Sequence, residues 1–361
     1  MFAEFWYKIK NSPLSLLLVV GLLLSIGLVT LYSIAQVQAQ TPPNAFSKQM
    51  IFLIPATILM IFMTLVSKGL VHKYIYLGYG FIVLAVFIPF FGEKVAGTYR
   101  WINLGLAFGL QPSEIAKWVI VITLARYLSD HNLQMNNFAS NLVPFAIAIL
   151  PTFIVLNQPD LGTAFVMMTP VIPMLFWVGA RPYHLFLIVA PLFSILAASN
   201  EFTFTIWAAI LAIVIYMAKP QLWHGVGIYF GNIFLGLIFP LMWNALRPFQ
   251  QKRVLTLINP DLDPLGAGYQ IIQSKTALGS GGLFGKGWGQ GTQTHLKFLP
   301  VQESDFIVSV IGEEFGFVML FIMLVLFSWF IVKIIKLGLN ASDRFSGLIL
   351  IGISTIFMAH I

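Results

Sequence analysis

The sequence predicts an all-α, polytopic integral membrane protein with about ten transmembrane helices. Two features of its composition predict this fold class: hydrophobic residues make up 58 % of 361 positions, and only 9 % of residues are charged. The third observation is that long apolar runs recur along the whole chain. A bilayer core of roughly 30 Å requires about 20 predominantly apolar residues per helix. A soluble domain of this length could not bury so many apolar segments.

Each predicted helix corresponds to one apolar run. The first, 14–35, has no charged residue, and it is longer than a signal-peptide core of about 7–15 residues, so we expect an uncleaved first helix. The other runs are 50–67, 74–91, 112–128, 142–157, 162–178, 185–199, 203–218, 226–246, 306–332 and 346–361. The pair within 185–218 reads as an apolar hairpin whose only charged residue is Glu201.

Basic residues in the short loops predict the orientation of the helices. Lys8, Lys10, Lys68, Lys73, Arg126, Arg181, Lys219, Lys333, Lys336 and Arg344 all fall on one side if the N-terminus starts there. The positive-inside rule makes that side cytoplasmic. We therefore expect a single transmembrane domain, 1–361, with a cytoplasmic N-terminus and one large extracytoplasmic loop, 247–305, before the helix that starts near Phe306.

The large loop is itself basic and rich in glycine. An anionic ligand at the outer membrane face is the simplest reason for its positive charge. Its segment GSGGLFGKGWGQG is read equally well as a flexible loop or as backbone that closely approaches a ligand. No Lys-Ser/Thr pair follows the glycines, which disfavours nucleotide binding, and we expect no nucleic-acid partner. The chain has no cysteine, which excludes disulfides and thiolate metal sites.

Two groups of polar residues near the predicted outer helix ends have a structural interpretation. Trp101, beside Arg100, is typical of an interfacial anchor. Glu114 and Lys117 lie three residues apart on one helix face, and a charge inside a membrane costs at least ~2.5 kcal/mol. A buried structural ion pair is therefore favoured over direct chemistry there. Asp160 follows a helix-breaking proline, and helix capping is favoured over catalysis.

The remaining acids stand at the start of the apolar run 306–332. Asp305 could cap that helix or act on a substrate. Glu313 and Glu314 lie about two turns deeper, so at least one is expected to pair with a cation, either Lys117 or a basic residue of the large loop. A carboxylate beside a cationic loop suits a general base and a stabilised phosphate leaving group, as in glycosyl transfer from a lipid diphosphate. The same features suit a transporter of lipid headgroups, and both interpretations stay open on these grounds.

Four motifs resemble the SEDS family of cell-shape and division proteins. They are QPSEIAK, NQPDLGTA, DPLGAGYQIIQSKTALGSGGLFGKGWGQGTQ and FLPVQESDFIVSVIGEEFG, and the glycine-rich one is closest to the family's RodA-like elongation branch. The resemblance covers most of the chain. It implies a peptidoglycan glycosyltransferase that polymerises lipid II at the outer face of the bacterial inner membrane during cell elongation. It also implies a class B penicillin-binding protein as the transpeptidase partner, alongside other elongation-complex proteins.

The resemblance also implies roles for individual residues. Asp305 matches the family's essential acid and would accept the proton of the attacking sugar hydroxyl, with inversion and with undecaprenyl diphosphate as leaving group. The implied substrate-binding residues are Arg100, Trp101, Lys117, Arg247, Arg253, Lys275 and Lys286. The implied structural or positioning residues are Glu114, Asp160, Glu313 and Glu314. A divalent cation, Mg or Mn, would suit the diphosphate, and its requirement stays open.

The sequence departs from the family pattern in two ways, and two alternative functions stay open. The chain stops inside an apolar run, which gives the expectation of a C-terminal truncation, and the hairpin 185–218 is an addition without a readable motif. A lipid II flippase is the first alternative function, and it predicts that charges such as Glu114 and Glu313 line a path across the membrane. A non-catalytic scaffold of the cell-wall elongation complex is the second.

Overall fold

A computed structural model describes residues 13–37, 44–92, 98–103, 109–130, 138–245, 251–252, 255–256, 259–266, 268–295 and 302–361. The chain divides into two compact units. Unit 1 consists of Met1–Ser67 and Leu246–Lys333, and unit 2 consists of Lys68–Ala245 and Ile334–Ile361. The described residues of both units are mostly helical.

The described residues form fourteen α-helices. In chain order they are α1 (Leu14–Val37), α2 (Ala45–Leu65), α3 (Lys68–Phe87), α4 (Pro112–Asp130), α5 (Phe138–Asn157), α6 (Leu161–Met168), α7 (Val171–Trp177), α8 (Pro182–Ala197), α9 (Glu201–Ala218), α10 (Leu222–Ala245), α11 (Tyr269–Ser280), α12 (Thr292–His295), α13 (Ile307–Leu339) and α14 (Arg344–His360). Short 3-10 helices cover Ile88–Phe91 and Pro260–Leu262, and the strands β1 (Ile102–Asn103) and β2 (Gly109–Leu110) pair antiparallel.

The predicted apolar runs are all helical. Within the described residues, six helices are long and apolar enough to cross a membrane, and four shorter apolar helices accompany them. Large hydrophobic side chains such as Leu77 (72 % exposed) and Phe81 (73 % exposed) cover the outer faces of these helices. Such surfaces need a lipid environment. The protein is a multi-pass membrane protein.

One predicted run is broken into two helices. The run 162–178 forms α6 and α7, with Thr169 as the C-cap of the first helix and Pro170 as the N-cap of the second. Proline has no backbone N–H to donate and its ring clashes with the preceding turn, so the helix stops there.

The core of unit 2 forms around α4. Ala116, Ile120, Val121 and Leu124 on this helix have no exposed surface, and α3, α5 and α14 pack against it. Gly352 allows the close approach of α14, because a Cβ atom there would lie 2.4 Å from a methyl group of Val121. Helix α4 therefore holds its polar residues in a rigid setting.

A buried polar cluster joins α8, α9 and α10. The Ser194 hydroxyl donates to Asn232 Oδ1 at 3.0 Å, and the Trp207 indole N–H donates to Ser194 Oγ at 2.8 Å. Ser194 and Asn232 are 1 % and 6 % exposed. Hydrogen bonds between helices satisfy polar groups that lipid could not. The segment 185–218, which carries no readable motif, is thus fastened to α10.

An exposed ion pair closes the start of α14. Asp343 is the N-cap residue, and its carboxylate accepts a hydrogen bond from the Ser346 backbone N–H at 2.8 Å. The Lys68 ammonium lies 2.5 Å from the same carboxylate. The hydrogen bond from Lys68, followed by that from the Ser346 backbone, lowers the pKa of Asp343 from 3.8 to about 2.

Unit 1 contains a kinked helix. Gly316 interrupts α13 with φ 78° and ψ −176°, so that the segments before and after it are separately helical. A residue with a side chain adopts this backbone conformation at a high cost, and glycine adopts it freely. The kink exposes backbone groups of 313–318 to the loop that precedes α12, and this is where the candidate site is built.

Candidate active site

Asp305 lies in the turn directly before α13, and its side chain is exposed. Within the described residues its carboxylate accepts one hydrogen bond, from the Ser304 hydroxyl at 3.0 Å. The first backbone bonds of the helix run from Ser309 and Val310 to the Phe306 carbonyl, so the Asp305 side chain does not cap α13. Of the two roles predicted for Asp305, helix capping is therefore not seen, and the Asp305 carboxylate remains accessible.

Glu313 is fully buried and is the centre of a dense polar cluster. Its Oε1 accepts from Lys286 Nζ at 2.7 Å and from the Thr292 hydroxyl at 2.9 Å. The Gln293 backbone N–H lies 3.2 Å from both carboxylate oxygens. The prediction that one of the two deep acids pairs with a basic residue of the large loop is confirmed. These contacts compensate the cost of burying the charge.

The glycine-rich loop before α12 packs backbone against backbone on the kink of α13. The Lys286 and Gly287 N–H groups donate to the carbonyls of Glu313 and Glu314 at 2.9 and 3.0 Å. In return, Phe317 N–H donates to the Gly282 carbonyl at 2.9 Å. A Cβ atom on Gly285, whose φ is 79°, would lie 2.1 Å from the Glu314 carbonyl oxygen. These glycines are therefore required for contact with α13, which neither of the two interpretations of the loop anticipated.

Glu314 is the second buried acid, at 1 % exposure. Its Oε1 accepts a hydrogen bond from the Ser33 hydroxyl of α1 at 2.7 Å. On the same helix, the Tyr32 ring stacks on Trp288 of the glycine-rich loop with ring centroids 5.9 Å apart. The loop, α1 and the kink of α13 thus form one packed assembly.

Helix α11 lies against the first turn of α13. The Ser274 and Ser309 hydroxyls are 2.6 Å apart and form a hydrogen bond between the two helices. Lys275 is the next residue on α11, is exposed, and has no acidic group within ion-pairing distance among the described residues. Lys275 thus adjoins one side of this helix contact, and Asp305 lies four residues before Ser309 on the other side.

Unit 2 contains a second set of predicted residues, on α4. Glu114 Oε2 lies 2.9 Å from Lys117 Nζ, so the predicted pair forms. The prediction that both partners are buried is wrong, because the Lys117 side chain is 2 % exposed and that of Glu114 is 53 % exposed. Glu114 occupies the first turn of α4, where the core does not cover it. The Lys117 ammonium also contacts His360 Nε2 of α14 at 3.1 Å.

Arg100 and Asp160 meet beside α6. Asp160 is the N-cap of α6 and accepts from the Thr163 backbone N–H at 3.3 Å, so the prediction of a capping role is confirmed. Arg100 Nε lies 3.6 Å from Asp160 Oδ2, and its Nη2 donates to the Pro159 carbonyl. Trp101 is partly exposed, and its ring covers the backbone of Gly109 in the β hairpin.

Two predicted substrate-binding residues and the predicted divalent cation are not part of the site described above. Arg247 and Arg253 lie outside the described residues. Among the residues that are described, no three His, Asp or Glu side chains cluster as a metal site requires. No step below is assigned to a metal.

Several contacts of the site could not be read from the sequence. Ser33 and His360 are isolated polar residues outside the quoted motifs, and Ser274, Thr292 and Ser309 are uncharged residues within them whose partners the motifs do not indicate. The signal that could have found Ser33 is a hydroxyl within the uncharged run 14–35, where an inward partner is expected.

Comparison with known proteins identifies relatives along nearly the whole chain. The family model described as the cell cycle proteins FtsW, RodA and SpoVE matches residues 14–201 and 182–361. Peptidoglycan glycosyltransferase RodA of Treponema pallidum is 30 % identical over 387 residues, covering 96 % of this chain and 86 % of the relative. Peptidoglycan glycosyltransferase MrdB of Escherichia coli K12 is 28 % identical, covering 99 % and 84 %. Stage V sporulation protein E of Bacillus subtilis is 32 % identical, covering 95 % and 84 %.

Solved structures share the fold. A chain from a study of how a peptidoglycan synthase complex coordinates polymerisation and crosslinking superimposes with a TM-score of 0.69 at 23 % identity, covering 94 % of this chain and 82 % of that one. The rod shape-determining protein RodA of Thermus thermophilus gives a TM-score of 0.58 at 20 % identity, covering 94 % and 80 %. The predicted helical membrane architecture is confirmed by these matches.

Proposed function

The chain belongs to the FtsW/RodA/SpoVE family of cell cycle proteins, and on that premise we propose that it is a peptidoglycan glycosyltransferase that polymerises lipid II during cell elongation. The exposed Asp305 carboxylate at the start of α13 connects this proposal to a particular residue. Helix α11, which bonds to α13 through Ser274 and Ser309, presents the exposed Lys275. We infer the reaction from the two relatives above that are named peptidoglycan glycosyltransferases. Helices α11 and α13 provide the cation and the base that this reaction needs.

Asp305 is the general base of the proposed reaction. Of the acids that the sequence singled out, Asp160 caps a helix, Glu313 binds Lys286, and Glu314 accepts from Ser33. Asp305 has only an exposed serine as a partner among the described residues, so a substrate hydroxyl can reach it.

The reaction exchanges one bond to the anomeric carbon for another. The sugar hydroxyl of the incoming lipid II attacks the anomeric carbon of the growing lipid-linked strand, and its proton passes to Asp305. The bond from that carbon to the diphosphate oxygen breaks, and undecaprenyl diphosphate leaves with the electron pair, giving inversion. Diphosphate is a good leaving group once cations offset its charge, so no separate general acid is required.

Lys275 is the cation we assign to the diphosphate. Lys286 was an equal candidate on sequence grounds, but its ammonium is matched by the buried Glu313 at 2.7 Å and by Thr292. A cation that already has a buried counter-ion stabilises new charge less than a free one. Arg247 and Arg253 remain candidates for the same role. Arg100, Trp101 and Lys117, which lie in unit 2, are also proposed to bind substrate.

The alternative of a lipid II flippase needs charged residues along a path. Glu313 and Glu314 are 0 % and 1 % exposed and are occupied by contacts within unit 1, so they offer no such surface there. This favours glycosyl transfer. We place the active site on the extracytoplasmic face of the bacterial inner membrane, with the N-terminus cytoplasmic, and propose a class B penicillin-binding protein as partner together with other proteins of the elongation complex.

The test is polymerisation of labelled lipid II by the purified protein with its partner, scored as glycan strands on a gel. We expect Lys275→Gln to lower the rate by about tenfold, the effect of losing one charge-assisted contact, and Lys275→Arg to retain most of it. Lys336→Gln, on the exposed last turn of α13, is the matched control. Translocation of lipid II without strand formation would favour the flippase, and partner binding without either activity would favour the scaffold.

A further inference from the structure

An apolar groove opens between the ends of α9 and α10 in unit 2. Its volume is about 410 Å³. It is lined by Ala212, Ile215, Tyr216, Lys219, Pro220, Leu222, Gly225, Val226, Tyr229 and Phe230. Lys219 is the one charged member of this lining, and it lies at the end of the groove where α9 stops.

The groove lies where two membrane-spanning helices reach the bilayer surface. Both α9 and α10 are long and apolar enough to cross a membrane, and residues 219–221 connect them. Tyr216 and Trp223 flank this turn and are 81 % and 84 % exposed. Tyrosine and tryptophan concentrate at the level of the lipid headgroups. Lys219 therefore stands at headgroup depth, and the apolar part of the groove extends into the hydrocarbon region.

The groove has a fixed shape. Lys219 ends α9 in the left-handed conformation, with φ 47° and ψ 49°, and its backbone N–H donates to the Tyr216 carbonyl. Gly225 of α10 faces this turn, since a Cβ atom there would lie 3.2 Å from both Ile215 and Pro220. The two walls thus meet closely at the turn. The polar cluster of Ser194 and its partners holds the same helices together deeper in the unit.

We propose that this groove binds an anionic phospholipid of the surrounding bilayer, with one acyl chain between α9 and α10 and the phosphate beside Lys219. The charge supports this occupant, because the Lys219 ammonium has no acidic partner in the described part of the chain and is placed to meet a headgroup phosphate.

The size of the groove is that of a small-ligand site. From Ala212 to Lys219 the groove runs for about 10 Å at the helical rise of 1.5 Å per residue. The cavity is about 410 Å³, which is within the range of small-ligand sites.

Native mass spectrometry of the full chain, released from membranes containing phosphatidylglycerol or phosphatidylcholine, tests the proposal. We expect one retained phosphatidylglycerol per protein and a preference over phosphatidylcholine. Lys219→Gln should weaken phosphatidylglycerol retention about fivefold, the contribution of one basic residue near an anionic headgroup. Gly225→Leu, which fills the groove, should remove retention of both lipids.

Lys336→Gln is the matched control, because it removes one exposed lysine at another helix end without touching the groove. Equal retention by Lys219→Gln and the control would overturn the proposal. So would preferential retention of undecaprenyl phosphate, which would assign the groove to the substrate. A photocrosslinker at Tyr216 should capture phospholipid in membranes, and capture of a protein helix instead would also overturn it. The thermal unfolding of each variant shows whether its fold is retained.

Discussion

Replacing Lys286 by methionine is predicted to loosen the glycine-rich loop from α13. The change leaves the fully buried Glu313 carboxylate with the Ser280, Thr292 and Gln293 donors but without its cation. Removing one partner of a buried ion pair costs about 3–5 kcal/mol. The Lys286 side chain is 27 % exposed and the Ser280, Thr292 and Gln293 donors remain, so we take the lower end, about 3 kcal/mol. Backbone amides between 285 and 293 should then exchange about 100-fold faster, at about 1.4 kcal/mol per tenfold.

Hydrogen–deuterium exchange of peptides covering 281–295 measures this effect. Adding Glu313→Gln to Lys286→Met removes the stranded charge while keeping an acceptor, so the double variant should recover at least tenfold of the protection. Lys252→Met is the control, because its pair with Asp263 at 3.1 Å involves a lysine that is 55 % exposed, and such pairs contribute about 1 kcal/mol or less. Exchange within twofold of wild type for Lys286→Met, or simple additivity in the double variant, would refute the reasoning.

Three further predictions concern thermal unfolding in detergent. Ser33→Ala removes the donor to a buried carboxylate and should cost about 1–3 kcal/mol, whereas Ser25→Ala, whose hydroxyl bonds only within its own exposed turn of α1, should be nearly neutral. Gly285→Ala should cost more than about 2 kcal/mol because of its positive φ and the backbone contact, while Gly279→Ala, with open space inside α11, should stabilise by about 0.5–1 kcal/mol. Asp343 has a pKa lowered to about 2, so its ion pair stabilises above pH 3.8 and is lost as the pH falls toward 2. Asp343→Asn, which still caps α14, should lower stability by less than about 1 kcal/mol at pH 7, and the difference from wild type should shrink at pH 2.5.

Hydrophobic patterning predicted the elements of this fold well. Long apolar runs without charges must be helical in a bilayer, and each predicted run contains a helix, with the run 162–178 divided into α6 and α7. The physics of burying charge also predicted that at least one deep acid would pair with a cation, either Lys117 or a basic residue of the large loop, and the structure shows Lys286 of the loop at Glu313.

Contacts between distant parts of the chain could not be predicted in the same way. The sequence around Gly316 reads as a continuous helix, because a glycine inside a helix is tolerated and its positive φ becomes visible only with the loop packed against it. The glycines near 285 were interpreted through flexibility or a ligand, since nothing local shows that their neighbour is the backbone of α13. Burial was also misjudged at Glu114, where spacing gives the ion pair but not which partner the core covers.

The most direct test of the central claim is lipid II polymerisation by the Asp305→Asn variant with its penicillin-binding partner. The substitution keeps the shape of the side chain and removes its basic oxygen. Asp261→Asn, in an exposed acid of the same unit, is the matched control. The account predicts that Asp305→Asn binds lipid II and its partner but forms no glycan strands, while Asp261→Asn polymerises like wild type. Strand formation by Asp305→Asn at the wild-type rate would contradict the assignment of Asp305 as the general base.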